Sequence, residues 1–142
     1  MREVTLDRVI EASRPVVTRA LDPASVVEYE DSFDVRAVRD DAGDDSETVV
    51  VADGGRFVSL AYRFRDGDDD DLTCHYELPG DDGPFSEMET WIRLDAVDGG
   101  TWVRARSEVG LDVPFPFGDR IAAWKRRGEL RRLLTNLAAD VE

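Results

Sequence analysis

The feature that most limits the fold is a series of short apolar–polar alternations, separated by acidic, glycine-bearing turns and followed by one long stretch without proline. Alternation with a period of two sends one face of a segment into a core and the other into water, which is the mark of a half-buried strand. It occurs at residues 33–38, 48–52, 57–64, 72–78, 88–94 and 101–111. The links between these segments are short and rich in turn residues, so neighbours should pair antiparallel. The acidic stretches at 40–45, 66–71 and 80–83 read as solvated turns. An earlier strand is marked by Val4, Leu6, Ile10 and Ala12. Ser13 with Pro15, then Asp22 with Pro23, repeat a cap-plus-proline signal, predicting short helices over 15–21 and from 23 to about 29. Residues 117–141 read as a single helix. The expected fold is α+β, one domain over 1–142, with a seven-stranded antiparallel sheet and a long C-terminal helix.

Hairpin arithmetic gives testable registers. A two-residue turn at Gly54-Gly55 would set Val51 against Val58 and Val49 against Leu60 on one face. That face continues through Tyr62, Phe64, Leu72, Cys74, Tyr76 and Leu78. In the last hairpin, a loop of Ala96-Val97-Asp98-Gly99 sets Ile92 against Val103, and on the outer face Glu89 against Arg106, Trp91 against Arg104 and Arg93 against Trp102. A tight Asp98-Gly99 turn would instead oppose Arg93 to Arg104 and Glu89 to Glu108. Charge pairing favours the longer loop.

Composition limits the partners. The 21 Asp and 11 Glu face 18 Lys and Arg, for a net charge of -14; Lys125 is the only lysine and Gln is absent. So acidic a surface repels a phosphate backbone and argues against a nucleic-acid binder. Short carboxylates in place of lysine suit a cytoplasm at molar salt, where self-repulsion is screened. The composition is that of a salt-in halophile's protein; the plainer alternative is an acidic protein with skewed codon usage. No apolar run approaches the roughly 20 residues of a membrane span, and residues 1–7 hold no apolar signal core. Cys74 is the sole cysteine, so no intrachain disulfide forms. Together these predict a cytoplasmic protein.

The order of elements, with Glu11-Ala12-Ser13-Arg14-Pro15-Val16-Val17 at the first strand-to-helix junction, resembles the START-like helix-grip superfamily (SRPBCC), including its polyketide cyclase/dehydrase-like members. Many members carry an acidic residue near the position of Arg14, and here the pattern departs. The resemblance rests on architecture and length and brings no catalytic signature. It implies a curved sheet wrapped around the last helix, with a cavity between them that takes lipids, polyketides or other apolar molecules. Packing supports the same expectation, because one helix cannot cover a wide sheet at native density. The candidate walls are Val58, Leu60, Tyr62, Cys74, Tyr76, Thr90, Ile92, Val103, Ala105 and Ser107. For any one of them, a filled core is the plainer account.

The last helix reads with two apolar stripes. Phe117, Ile121, Trp124 and Gly128 form one; Leu130, Leu133, Leu134, Leu137 and Val141 form the other, with a changeover at Gly128. The first stripe would close the cavity mouth together with Phe115, or meet a second subunit; a deeply buried helix is the alternative. Residues 118–132 hold Arg120, Lys125, Arg126, Arg127, Arg131 and Arg132 against Asp119 and Glu129, net +4 in a chain of -14. Internal pairing with acidic loops explains this most simply. An anion site, for a phosphorylated isoprenoid, an acidic lipid headgroup or an acidic partner protein, is the sharper reading.

Other chemical signals are weak. Asp66, Asp68, Asp70 and Glu77 fit an EF-hand spacing, but Asp71 stands where glycine is required, and strands flank the segment. His75 is the only histidine, so no triad or zinc site is expected around it, and alternation puts Cys74 on the opposite face. No metal or cofactor is expected. The sequence points to binding of a hydrophobic or amphipathic small molecule without chemistry. The alternatives are a cyclase/dehydrase-like enzyme using Tyr62, Tyr76 or an inward carboxylate, and a protein-interaction module using the basic helix.

Overall fold

The computed structural model describes residues 2–40, 46–52, 59–65, 72–78, 87–110 and 118–142. The chain runs β1 (Arg2–Ile10), α1 (Arg14–Ala20), α2 (Pro23–Glu30), β2 (Asp34–Asp40), β3 (Ser46–Ala52), β4 (Ser59–Arg65), β5 (Leu72–Leu78), β6 (Glu87–Val97), β7 (Gly100–Gly110) and α3 (Gly118–Val141). The strands form one antiparallel sheet in the order β1-β7-β6-β5-β4-β3-β2. β1 and β2 therefore lie at opposite edges, and α1 and α2 carry the chain between them.

Local chemistry accounts for the two short helices. Pro15 sits in the first turn of α1, where its missing N–H costs nothing. Asp22 caps α2, its carboxylate accepting from the Ser25 N–H at 3.2 Å and from the Ser25 hydroxyl at 2.6 Å. Asp31 ends α2 in the left-handed region at φ 56°.

Alternation sends Val49, Val51, Tyr62, Phe64, Cys74, Tyr76, Ile92, Leu94, Val103 and Ala105 into one buried inner face. α3 packs on that face against β1 and β7 and against α1 and α2. Its inward line is Gly118, Ala122, Arg126, Glu129, Leu130, Leu133, Leu134, Leu137 and Ala138. Each fully buried leucine contributes on the order of 1.5–3 kcal/mol.

Two expected registers are corrected. Val51 pairs with Leu60 and Val49 with Tyr62, a two-residue shift from the Gly54-Gly55 arithmetic, so the connection is longer than a tight turn. The turn itself lies outside the described residues, as do the acidic stretches at 41–45, 66–71 and 80–83. In the last hairpin Val97 pairs with Gly100, so Arg93 does oppose Arg104 and Glu89 opposes Glu108. Gly99, at φ 84°, permits the tight turn. The like charges find partners elsewhere. Arg104 bonds Asp95 at 2.6 Å and lies over Trp102, while Arg106 lies over Trp91 and pairs with Glu3 across β1. Glu89 meets His75, which stacks on Trp91. Pairing by direct opposition ignored these diagonal and third-strand contacts.

The two-stripe reading of α3 is also corrected. One inward line runs the whole length of the helix, with no changeover at Gly128, and Ile121 and Trp124 are 48% and 78% exposed. The line continues backward from Leu130 through Arg126 to Ala122, so a charged residue counted with the basic patch sits on the buried side.

Candidate functional site

Arg126 is 0% exposed and forms the hub of a charged network between α3 and the sheet. Its Nη2 donates to the Glu30 carboxylate, the Tyr76 hydroxyl and the Thr90 hydroxyl, each at 2.8 Å. Nε donates to Ser107 at 3.1 Å, and Nη1 donates to Glu129 at 3.3 Å. Tyr76 also donates to Glu30. The second oxygen of Glu129 accepts from Ser32 at 2.5 Å and meets Lys125 at 3.5 Å. Thr90 and Ser107 bond each other at 2.8 Å. Glu30 at the end of α2, Tyr76 on β5, Thr90 on β6 and Ser107 on β7 are thus gathered by one side chain of α3.

The electrostatics are uneven. Burial pushes the Glu30 carboxyl above its ordinary value; Arg126 opposes this and Glu129 adds to it. Burial acts the same way on Glu129, but Arg126 and then Lys125 outweigh it and hold that carboxyl below the ordinary range. Burial disfavours the Arg126 charge, yet Glu30, Tyr76 and Glu129 reverse the balance and keep the guanidinium protonated. Burial raises the Tyr76 and Tyr62 hydroxyls well above the ordinary phenol. For Tyr62 the carboxylates of Glu30 and Glu129 raise it further. Tyr62 packs its ring against Phe33 and Tyr76. It is 1% exposed. The network therefore holds a guanidinium shared by two carboxyls of opposite tendency, with weakly acidic phenols beside them.

Solved structures of the same architecture include a protein from Chromobacterium violaceum, 22% identical, with 99% of this chain and 96% of that one covered and a TM-score of 0.70. A START superfamily protein from Mycobacterium smegmatis is 14% identical, with 98% and 96% covered and a TM-score of 0.70. The chain has the START-like helix-grip fold. An AHSA1-like protein from Aeromonas hydrophila is a further helix-grip neighbour, 14% identical, with 99% and 96% covered and a TM-score of 0.66. No family model matches the sequence, and no curated protein does either.

The helix-grip frame sorts the expected residues. Tyr62, Cys74, Tyr76, Thr90, Ile92, Val103, Ala105 and Ser107 all lie on the gripped face and are buried. Leu60 belongs to β4 and is described in its backbone alone; Val58, Phe115 and Phe117 lie outside the described residues. Ile121 and Trp124 point away from the sheet rather than onto it. Of the basic set, Arg126 is removed from the surface patch altogether. Arg132 ties α3 to the end of α2 through the Glu30 carbonyl at 2.8 Å and Ser32 at 3.1 Å, and Lys125 meets Glu129. Arg120, Arg127 and Arg131 are exposed. A groove of about 410 Å³ opens at the β1 edge, lined by Leu6, Asp7, Arg8, Arg131, Leu134 and Thr135. Of these, Arg131 alone was among the expected site residues; Leu6 and Leu134 were read as parts of the first strand and the last helix.

Sequence reasoning missed Glu30, Glu129 and Ser32. Glu129 carried a signal, since it lies on the same helical line as Leu133 and Leu137 and three residues from Arg126. Glu30 follows Val26 and Val27 at helical spacing on the buried side of α2. Burial pushes the Cys74 thiol far up, and it is not a nucleophile in this setting. Among the described residues, no His, Cys, Asp and Glu cluster of three could hold a metal, and no helix is long and apolar enough to cross a membrane.

Proposed function

We propose that the protein binds an apolar or amphipathic small molecule of lipid, isoprenoid or polyketide type between the sheet and α3, without transforming it. One observation carries this reading. α3 rests on β1, β7 and the short helices, whereas β4 and β5 face it across long side chains, Tyr62, Tyr76 and Arg126. An apolar strand surface beside an isolated polar cluster suits a ligand with an apolar body and a polar end. Native mass spectrometry of protein purified at high salt tests it. A retained small molecule, released on denaturation, is expected. A ligand-free mass together with no uptake from a lipid, isoprenoid and polyketide panel would overturn it.

Two rivals have an observation each. The Glu30–Tyr76–Arg126 contacts favour a cyclase/dehydrase-like enzyme, with a phenol serving as general acid. Turnover of a polyketide substrate that is lost in Tyr76→Phe would establish it. Trp124, 78% exposed beside Arg120 and Arg127, favours a contact with an acidic protein or a second copy of the chain. A complex that dissolves in Trp124→Ala would establish that. The composition supports a cytoplasmic, high-salt setting for any of the three.

A further inference from the structure

The groove at the edge of the sheet is built differently from the interior. β1 is an edge strand, paired on one side with β7. Its inward positions are Val4, Leu6, Arg8 and Ile10. The first and last are buried, at 1% and 0%, whereas Leu6 is half-buried and Arg8 is exposed. The strand is thus covered near both ends and open between them. α3 supplies the facing wall with Arg131, Leu134 and Thr135, which share one side of the helix at spacings of three and four. The space between the walls is about 410 Å³, within the range of small-molecule sites. Leu6 and Leu134 give it apolar lining, and each wall carries one arginine.

The two arginines reverse, locally, the sign of a chain whose net charge is -14. Their existing ties are slight. Arg8 meets Glu142 at 3.9 Å with both side chains partly in solvent, a pairing worth little. Arg131 has no ion-pair partner among the described residues. Asp7 is the one carboxylate in the lining, and it accepts from the Trp102 indole N–H at 2.8 Å. An inward charge on an edge strand also discourages strand addition, which accounts for Arg8 but not for a second arginine facing it from α3. We infer that this groove is a second ligand site, separate from the interior between Tyr62 and Arg126, and that it takes a single-chain amphipath with an anionic head, a carboxylate or a phosphate monoester. The head lies between the Arg8 and Arg131 guanidiniums, whose planar forks suit either group. The chain lies along Leu6 and Leu134. The groove stands whether or not the interior takes a ligand of its own.

Calorimetric titration of the whole protein in molar KCl tests this, with decanoate, decyl phosphate and decanol as probes. The screening length there is about 3 Å, so only direct contacts count. The better of the two anions should bind about tenfold more tightly than decanol, the effect of two partly exposed ion pairs, and its identity names the head. Arg8→Gln and Arg131→Gln should each weaken that anion about threefold and leave decanol unchanged. Thr135→Asp, which adds a negative charge at an exposed position of the wall, should weaken the anion in the same way. Decanol binding as tightly as both anions would overturn the inference. So would an anion affinity that either arginine variant leaves unchanged, or failure of all three probes. The interior reading survives each of these results, because a molecule retained between the sheet and α3 is detected by its mass and does not need Arg8 or Arg131. A ligand-free mass, in turn, leaves the groove untouched.

Discussion

Replacing Arg126 with methionine is the sharpest test of the buried network. The side chain is 0% exposed, and it supplies donors to Glu30 and Tyr76 at 2.8 Å and to Glu129 at 3.3 Å. Methionine fills similar volume but leaves two buried carboxyls facing one another, with only Lys125 at 3.5 Å from Glu129 to offset them. Removing one partner of a buried ion pair costs about 3–5 kcal/mol. At about 2–4 °C per kcal/mol for domains near this size, the melting temperature should fall by about 10–15 °C at pH 7.5. The deficit has a definite pH dependence. Without the guanidinium, burial raises both carboxyls above their unfolded values. Groups raised in this way stabilise the fold fully below the unfolded value, and that stability is lost as pH rises through the folded one. The deficit should therefore shrink toward pH 4 and grow toward pH 8. Adding Glu30→Gln and Glu129→Gln to Arg126→Met should recover most of the loss, since no buried charge then remains. Thermal and denaturant unfolding at fixed high salt read all of this. A variant within about 1 kcal/mol of the natural protein at pH 7.5, or a deficit that does not change with pH, would refute the account.

Three further expectations follow the same logic. Glu30, raised by burial despite Arg126, contributes stability that is whole below the ordinary carboxylate range and fades as pH climbs through its raised value; Glu30→Gln should flatten this part of the stability profile, and curves parallel to the natural protein from pH 4 to 8 would count against it. A Cβ at Gly100 would stand 2.1 Å from the Ile10 carbonyl oxygen, so Gly100→Ala should lose about 1–3 kcal/mol and speed hydrogen exchange in β1 above all; unchanged exchange there would contradict the contact. If the charge of -14 reflects life at molar salt, the melting temperature should keep rising with KCl beyond about 1 M, where the screening length is already near 3 Å; a plateau below that point would favour an ordinary acidic protein.

The strands were legible because their alternation is clean. Cys74, Tyr76, Ile92 and Val103 all lie on the predicted face, since a period of two leaves no other choice once one side is buried. The antiparallel pairing of successive strands from β2 to β7 and the C-terminal helix followed from short links and the absence of proline, whereas the pairing of β1 with β7 did not. The registers were not legible from opposite pairs alone. Arg93 tolerates Arg104 across the ladder because Asp95 and Trp102 take up Arg104, and such diagonal partners are invisible until the sheet is assembled. The charged hub escaped notice for a simpler reason. Arg126 was counted with Arg127 and Arg131 as surface charge, and periodicity by hydrophobicity cannot admit a buried arginine whose partners Glu30 and Tyr76 lie 96 and 50 residues away. Tyr62 and Tyr76 were turned inward by the same alternation, but the contacts of the Tyr76 hydroxyl with Glu30 and Arg126 belong to the assembled interior.

The position of α3 in the chain has a consequence for biosynthesis. Every strand leaves the ribosome before this helix does, and β1 finds its partner β7 only after some 90 residues have emerged. A nascent polypeptide must therefore carry a broad greasy β-surface without its cover until α3 has emerged. The guanidinium that arrives with α3 is also the group that neutralises the waiting carboxylate at the end of α2. Chains cut within α3 should yield aggregates or chaperone-bound species rather than a smaller, weaker version of the native protein.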